Sequence, residues 1–142
     1  MQVSEAMSGD VKIANPNQSI RDAAHMMAEL DAGVLPVGEN DRLLGMITDR
    51  DIAIRAVAQN KGSETIIRDV MSPNIVYCFE KDNVADAAKK MGDEQVRRLP
   101  VLNEDKRLVG MLSLGDISQT GDAKTSGQAL GGVARPGGQH KQ

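Results

Sequence analysis

Aromatic residues are nearly absent from this chain: Tyr77 and Phe79 are the whole complement, 1% of 142 residues, and there is no tryptophan. A flat base therefore finds no stacked aromatic platform, and an aliphatic slot is the remaining way to hold one. Cysteine is as scarce. The single Cys78 excludes an internal disulfide and any multi-cysteine metal site, and it fits a reducing, cytoplasmic compartment. With only His25 and His140 beside that thiol, the chain lacks an obvious general base, nucleophile or metal cluster, so no catalytic residue and no metal ligand is expected. Asp49 and Asp51 in the Asp-rich ITDRD stretch lack the further oxygen ligands of a calcium loop.

No charge of one sign dominates either. Seventeen basic residues stand against twenty acidic ones, for a net charge of -3 and a pI near 5.4. That balance argues against nucleic acid or an anionic membrane surface as a partner. No stretch approaches the roughly 20 apolar residues of a membrane span, and the opening MQVSEAMSGD carries no basic region ahead of an apolar run. Cys78 reads as a small core residue and His25 as a helix-surface one.

What the chain does have is a repeat. Met7-Ser8 returns as Met71-Ser72, Ala23-Ala24 with Met27 as Ala87-Ala88 with Met91, and Leu35-Pro36-Val37 as Leu99-Pro100-Val101, each 64 positions on. One extra loop residue then shifts the register, and Leu43 to Ile52, LLGMITDRDI, returns as Leu108 to Ile117, LVGMLSLGDI. Each copy of this last stretch reads as an apolar strand running into a helix that opens on Thr48 or Ser113, with Asp51 or Asp116 three residues later. Such a spacing forms a capping box, which satisfies helix donors and binds nothing. It also brings a hydroxyl and a carboxylate to one helix start, where a phosphate and the two hydroxyls of a ribose would be accepted.

The chain order predicts a strand at Val11 to Ala14 and a helix from Ser19 to about Leu30, stopped by Gly33. Strands at Val34 to Val37 and Leu43 to Ile47 and a helix from Asp49 to Gln59 complete the first copy. The second has a strand at Ile75 to Phe79, a helix at Val84 to Glu94, strands at Arg97 to Leu102 and Leu108 to Leu112, and a shorter helix from Leu114. This gives repeats over 3–60 and 61–120. Residues 121–142, rich in glycine with little to bury, are expected to form a disordered tail.

Met-Ser at the start, Leu-Pro-Val in the middle and Gly-x-x-Thr/Ser-x-x-Asp-Ile at the end resemble a tandem cystathionine-β-synthase (CBS) domain pair, the resemblance covering about residues 3 to 120. It implies an α+β fold of two β-α-β-β-α repeats around a pseudo-twofold axis, the Bateman module, with two clefts that bind adenosine-containing ligands in many relatives. By that resemblance the first cleft combines Thr48 and Asp51 with Ile75, Val76, Val96 and Pro100. The second combines Ser113 and Asp116 with Val11, Ile13, Val34 and Pro36. Arg97 and Arg98 precede Leu99-Pro100 where Gly33-Val34 precede Leu35-Pro36, and Arg50 matches Gly115. These arginines are candidates for phosphate contact in the first cleft, or for exposed charges paired with Glu94, Glu104 or a nearby Asp. The implied function is regulatory sensing of an adenine nucleotide of the AMP, ADP or ATP class, with no cofactor required, as a homodimer acting on an unidentified regulated protein. The alternative is a structural dimerisation module whose clefts stay empty.

Overall fold

The computed structural model describes residues 1–137. In chain order its helices and strands are α1 (Val3–Ala6), α2 (Ile20–Leu30), β1 (Val34–Glu39), β2 (Arg42–Thr48), α3 (Asp49–Asp51), β3 (Cys78–Phe79), α4 (Val84–Glu94), β4 (Arg98–Leu102), β5 (Leu108–Ser113), α5 (Leu114–Ser118) and α6 (Ala123–Ala134). α3 runs on through a π-helical turn, Ile52–Ala56, and a 3-10 turn, Val57–Gln59. The chain divides into two compact units, Lys12–Ile75 and Met1–Val11 with Val76–Gln142. Both mix helix with a small sheet, the α+β class expected.

In the Lys12–Ile75 unit, α2 starts where Ser19 Oγ accepts the Asp22 N–H at 3.1 Å. It buries Ile20, Ala23 and Met27, one face at helical spacing, against Leu35, Val37 and Ile47. Its end differs from expectation in detail, because Asp31, at φ 51°, takes the left-handed cap position two residues before Gly33. β1 and β2 form an antiparallel hairpin, Val34 opposite Thr48 and Pro36 opposite Met46. Met46 exchanges both backbone hydrogen bonds with Ser72 on its outer side, at 3.0 and 2.9 Å. A Cβ on Gly45 would stand 2.7 Å from Ser72 O and 3.0 Å from Met71 Sδ, so the Met-Ser segment can cross β2 only over a glycine.

The other unit repeats this plan. Ser8 pairs with Met111, and a Cβ on Gly110 would lie 2.5 Å from Met7 Sδ. α4 buries Val84, Ala87, Ala88 and Met91 beside Leu99, Val101 and Leu112, and Val3 of α1 completes the same core. The Met-Ser that opens each copy of the sequence repeat thus packs in the unit holding the hairpin of the other copy.

The two strands expected at the start of each copy are shortened for one reason. Val11 to Ala14 reduces to a single parallel bridge, Ala14 to Val37, and Ile75 to Phe79 to the two residues Cys78–Phe79, paired with Val101 and Leu102. Extending either ladder toward its N-terminus would require an N–H from Pro36 or Pro100, and proline has none. The proline of Leu-Pro-Val therefore sets where the parallel edge begins.

The glycine-rich tail is corrected over most of its length. α6 starts at Asp122, whose Oδ1 accepts the Thr125 N–H at 3.1 Å, and it buries Ala129 and Val133 against α4. Gly92 and Gly132 meet where the helices cross: a Cβ on Gly132 would be 2.5 Å from Gly92 Cα. Gln95, 3% exposed, closes the far end by donating from Nε2 to Arg135 O at 3.0 Å. Glycine here permits close helix contact rather than disorder, and composition alone does not separate the two uses. Residues 138–142, the end of the expected tail with His140, lie outside the described residues.

Candidate functional site

Both strand-to-helix corners form as the motif spacing requires. Thr48, 8% exposed at the end of β2, accepts the Asp51 N–H on Oγ1 at 2.9 Å and donates its own N–H to Asp51 Oδ2 at 3.0 Å. Ser113 and Asp116 repeat this reciprocal pair at 2.9 and 2.9 Å. The capping box is therefore real in both copies. It leaves the carboxylates with capacity to spare, because each uses Oδ2 for the cap while Oδ1 makes no hydrogen bond among the described residues. A half-buried, oriented carboxylate with one open oxygen can accept hydroxyl donors from a bound sugar.

A second backbone link places the segment before each hairpin against its corner. Gly33 O accepts the Asp49 N–H at 2.9 Å, and Arg97 O accepts the Leu114 N–H at 2.8 Å. These are matching positions of the two copies, so the Gly33-Val34 and Arg97-Arg98 difference falls beside the motif in each unit. In strand register Val34 is opposite Thr48 and Arg98 is opposite Ser113. Arg97 is exposed and Arg98 half-buried. Glu104, considered as a partner for them, pairs instead with Lys81. Arg50 is exposed on the first turn after Thr48, and its N–H donates to Asp49 Oδ1 at 2.8 Å.

The remaining candidates distribute over both units. Lys12–Ile75 holds Thr48, Arg50 and Asp51 with Ile13, Val34, Pro36 and Ile75; the other unit holds Ser113 and Asp116 with Val11, Val76, Val96, Arg97, Arg98 and Pro100. Val34, Pro36, Val96 and Pro100 are buried, whereas Val11, Ile13, Ile75 and Val76 are half-buried aliphatic surface.

One residue of the first corner escaped the reading of the motif. Arg55, one turn beyond Asp51, brings Nη1 to 3.9 Å from Asp51 Oδ1 and donates to Met71 O at 3.2 Å. Its i,i+4 spacing from an aspartate was the available signal. At the matching place in the second copy stands Thr120, whose hydroxyl donates to Ile117 O at 2.7 Å.

Away from the corners, burial, with the charge of Asp82 adding to it, pushes the Cys78 thiol up to about 12. It is protonated at neutral pH and inert as a nucleophile. Among the described residues no three His, Cys, Asp or Glu side chains gather as a metal site requires, and no helix is long and apolar enough to cross a membrane.

Comparison with known proteins matches this geometry to a family. The CBS domain model fits residues 3–57 and 67–120. The CBS domain-containing protein YhcV of Bacillus subtilis is 39% identical over 116 residues, spanning 82% of each chain. Among solved structures, the CBS domain pair of protein MJ0100 in complex with 5′-methylthioadenosine and S-adenosyl-L-methionine superposes with a TM-score of 0.77 at 30% identity, covering 87% of this chain and 98% of that one. CBSX2 in complex with AMP gives 0.73 at 26%, covering 84% and 94%.

Proposed function

Since the chain belongs to the CBS domain family, we propose that it is a regulatory module that senses an adenosine-containing ligand of the AMP, ADP or ATP class. The observation that carries this reading is the doubled corner, in which Asp51 and Asp116 are each oriented by a cap through Oδ2 that leaves Oδ1 out of the cap. Each carboxylate accepts ribose hydroxyls, and Thr48 and Ser113 lie toward the phosphates. Arg50, Arg97 and Arg98 supply positive charge for those phosphates. Val11, Ile13, Val34, Pro36, Ile75, Val76, Val96 and Pro100 supply the aliphatic surface for adenine, in keeping with the scarcity of aromatic rings.

The role is regulatory rather than catalytic. The motif hydroxyls are engaged in helix caps and the one thiol is buried and protonated, so neither is poised as a nucleophile. No cofactor is required, and the nucleotide state is read by a further protein in the cytoplasm. The module is a homodimer. The helix after Asp51 exposes Ile54 at 49% and Val57 at 66%, an apolar surface that a second copy would cover. Sedimentation tests this, and a monomer at tens of micromolar removes it.

A second reading keeps the fold and the dimer but leaves the corners empty. Its support is that both capping boxes are complete without a ligand. Titration calorimetry with AMP, ADP, ATP and S-adenosylmethionine separates the two. The sensor requires binding that Asp51→Ala or Asp116→Ala weakens, and the purely structural reading requires no heat from any of them. At 100 times its dissociation constant a ligand also stabilises by about 2.7 kcal/mol, which a melting curve registers.

A further inference from the structure

The two corners share their cap and differ in what stands behind it. Beyond Asp51 the chain continues in helical form through the π-helical turn Ile52–Ala56, and Arg55 lies within that turn. Its guanidinium faces Asp51 Oδ1, the oxygen that the cap leaves open, at 3.9 Å, and hydrogen-bonds Met71 O at 3.2 Å. Met71 precedes Ser72, which is bonded on both sides to Met46, and Met46 lies in β2 two residues before Thr48. The contacts therefore close a ring: β2 to Thr48, Thr48 to Asp51, Asp51 to Arg55, Arg55 to the Met71 carbonyl, and Ser72 back to β2. In the second copy Ser113, Asp116 and the Ser8 to Met111 pairing are all present. The ring stays open there because α5 ends at Ser118 and Thr120 turns its hydroxyl back to Ile117 O.

We infer that Arg55 is a positioning residue for Asp51, and that it makes the first corner the stronger selector for a ribose diol. The inference rests on the sugar-binding role proposed above for the aspartates. A carboxylate tied at one oxygen by the Thr48 N–H can still swing its other oxygen about χ2. The guanidinium restrains that oxygen by charge while itself held by a backbone carbonyl, which lowers the ordering cost when two hydroxyls bind. Asp51 is well covered at 17% side-chain exposure and Arg55 is half open at 48%, so the ion pair is partly screened and its effect is modest.

The test is titration calorimetry on the full chain in an Asp116→Ala background, which silences the second corner, with adenosine and with adenosine lacking both ribose hydroxyls. Arg55→Met should lower the preference for adenosine about two- to fivefold, the range of a partly screened ion pair. Affinity for the hydroxyl-free nucleoside should not change. Arg55→Lys, which keeps a positive charge near Asp51, should fall between Arg55→Met and the parent, and it guards against a folding artefact. Equal weakening of both nucleosides in Arg55→Met, or no change in either, overturns the positioning role. If the parent itself does not prefer adenosine, the ribose role of Asp51 falls, and this inference falls with it.

Discussion

Glycine-to-alanine exchange in α6 should change sign between two positions of the same helix. Gly127 is exposed with nothing within 4 Å of a Cβ built on it, whereas a Cβ on Gly132 would stand 2.5 Å from Gly92 Cα and 2.9 Å from Gly92 O. Helix propensity alone favours alanine over glycine by about 1 kcal/mol at an interior position. Gly127→Ala should realise most of that gain, raising the melting temperature by about 3 °C for a chain of this size. At Gly132 the same gain meets a backbone contact that no side-chain rotation relieves. α6 must then move off α4 and forfeit part of the burial of Val133, 7% exposed, and Ala129, fully covered. Fully exposing one valine side chain costs about 1.5–3 kcal/mol; set against the propensity gain of about 1 kcal/mol, Gly132→Ala should be destabilising, by up to about 2 kcal/mol. With no tryptophan in the chain, the assay is urea denaturation followed by far-UV circular dichroism, supported by amide exchange at Ala129 and Val133. Gly132→Ala proving as stable as Gly127→Ala, with exchange in α6 unchanged, would refute the close crossing of the two helices.

Two further outcomes follow from the same structure. Truncation after Thr120 should lower the melting temperature by several degrees, because it strips Ala129 and Val133 from the core and leaves the Gln95 amide without its carbonyl partners; an unchanged melt would show that α6 does not pack. Cys78 should resist Ellman's reagent in the native protein at pH 8. Its thiol is raised from 9.0 to about 12, so its contribution to stability is full below pH 9.0 and declines as pH rises from there toward 12. Rapid labelling without unfolding would contradict the burial.

The corners were the most legible part of the sequence, because a hydroxyl and a carboxylate three residues apart after an apolar strand obey local rules that hold in both copies. Helices α2 and α4 were legible for the same reason, their caps and buried faces being written within a dozen residues. What periodicity missed depended on partners distant in sequence. The parallel edges at Ala14 and Cys78 end where Pro36 and Pro100, more than twenty positions away, fail to donate. α6 is specified by a fit between Gly132 and Gly92, not by an apolar period. Arg55 carries only the local signal of its i,i+4 spacing from Asp51, and its anchor, Met71 O, lies 16 positions further along the chain.

The placement of the two Met-Ser segments bears on how such a chain arises by duplication. Neither half of the repeat is a self-sufficient folding unit: a fragment ending at residue 60 would keep the hairpin of β1 and β2 yet lack Ser72 to satisfy Met46, while carrying Val3 and Ser8 with no core to enter. A single ancestral copy would meet that difficulty only by trading its opening segment with a second molecule. The two repeat copies of this chain make the corresponding exchange within one polypeptide.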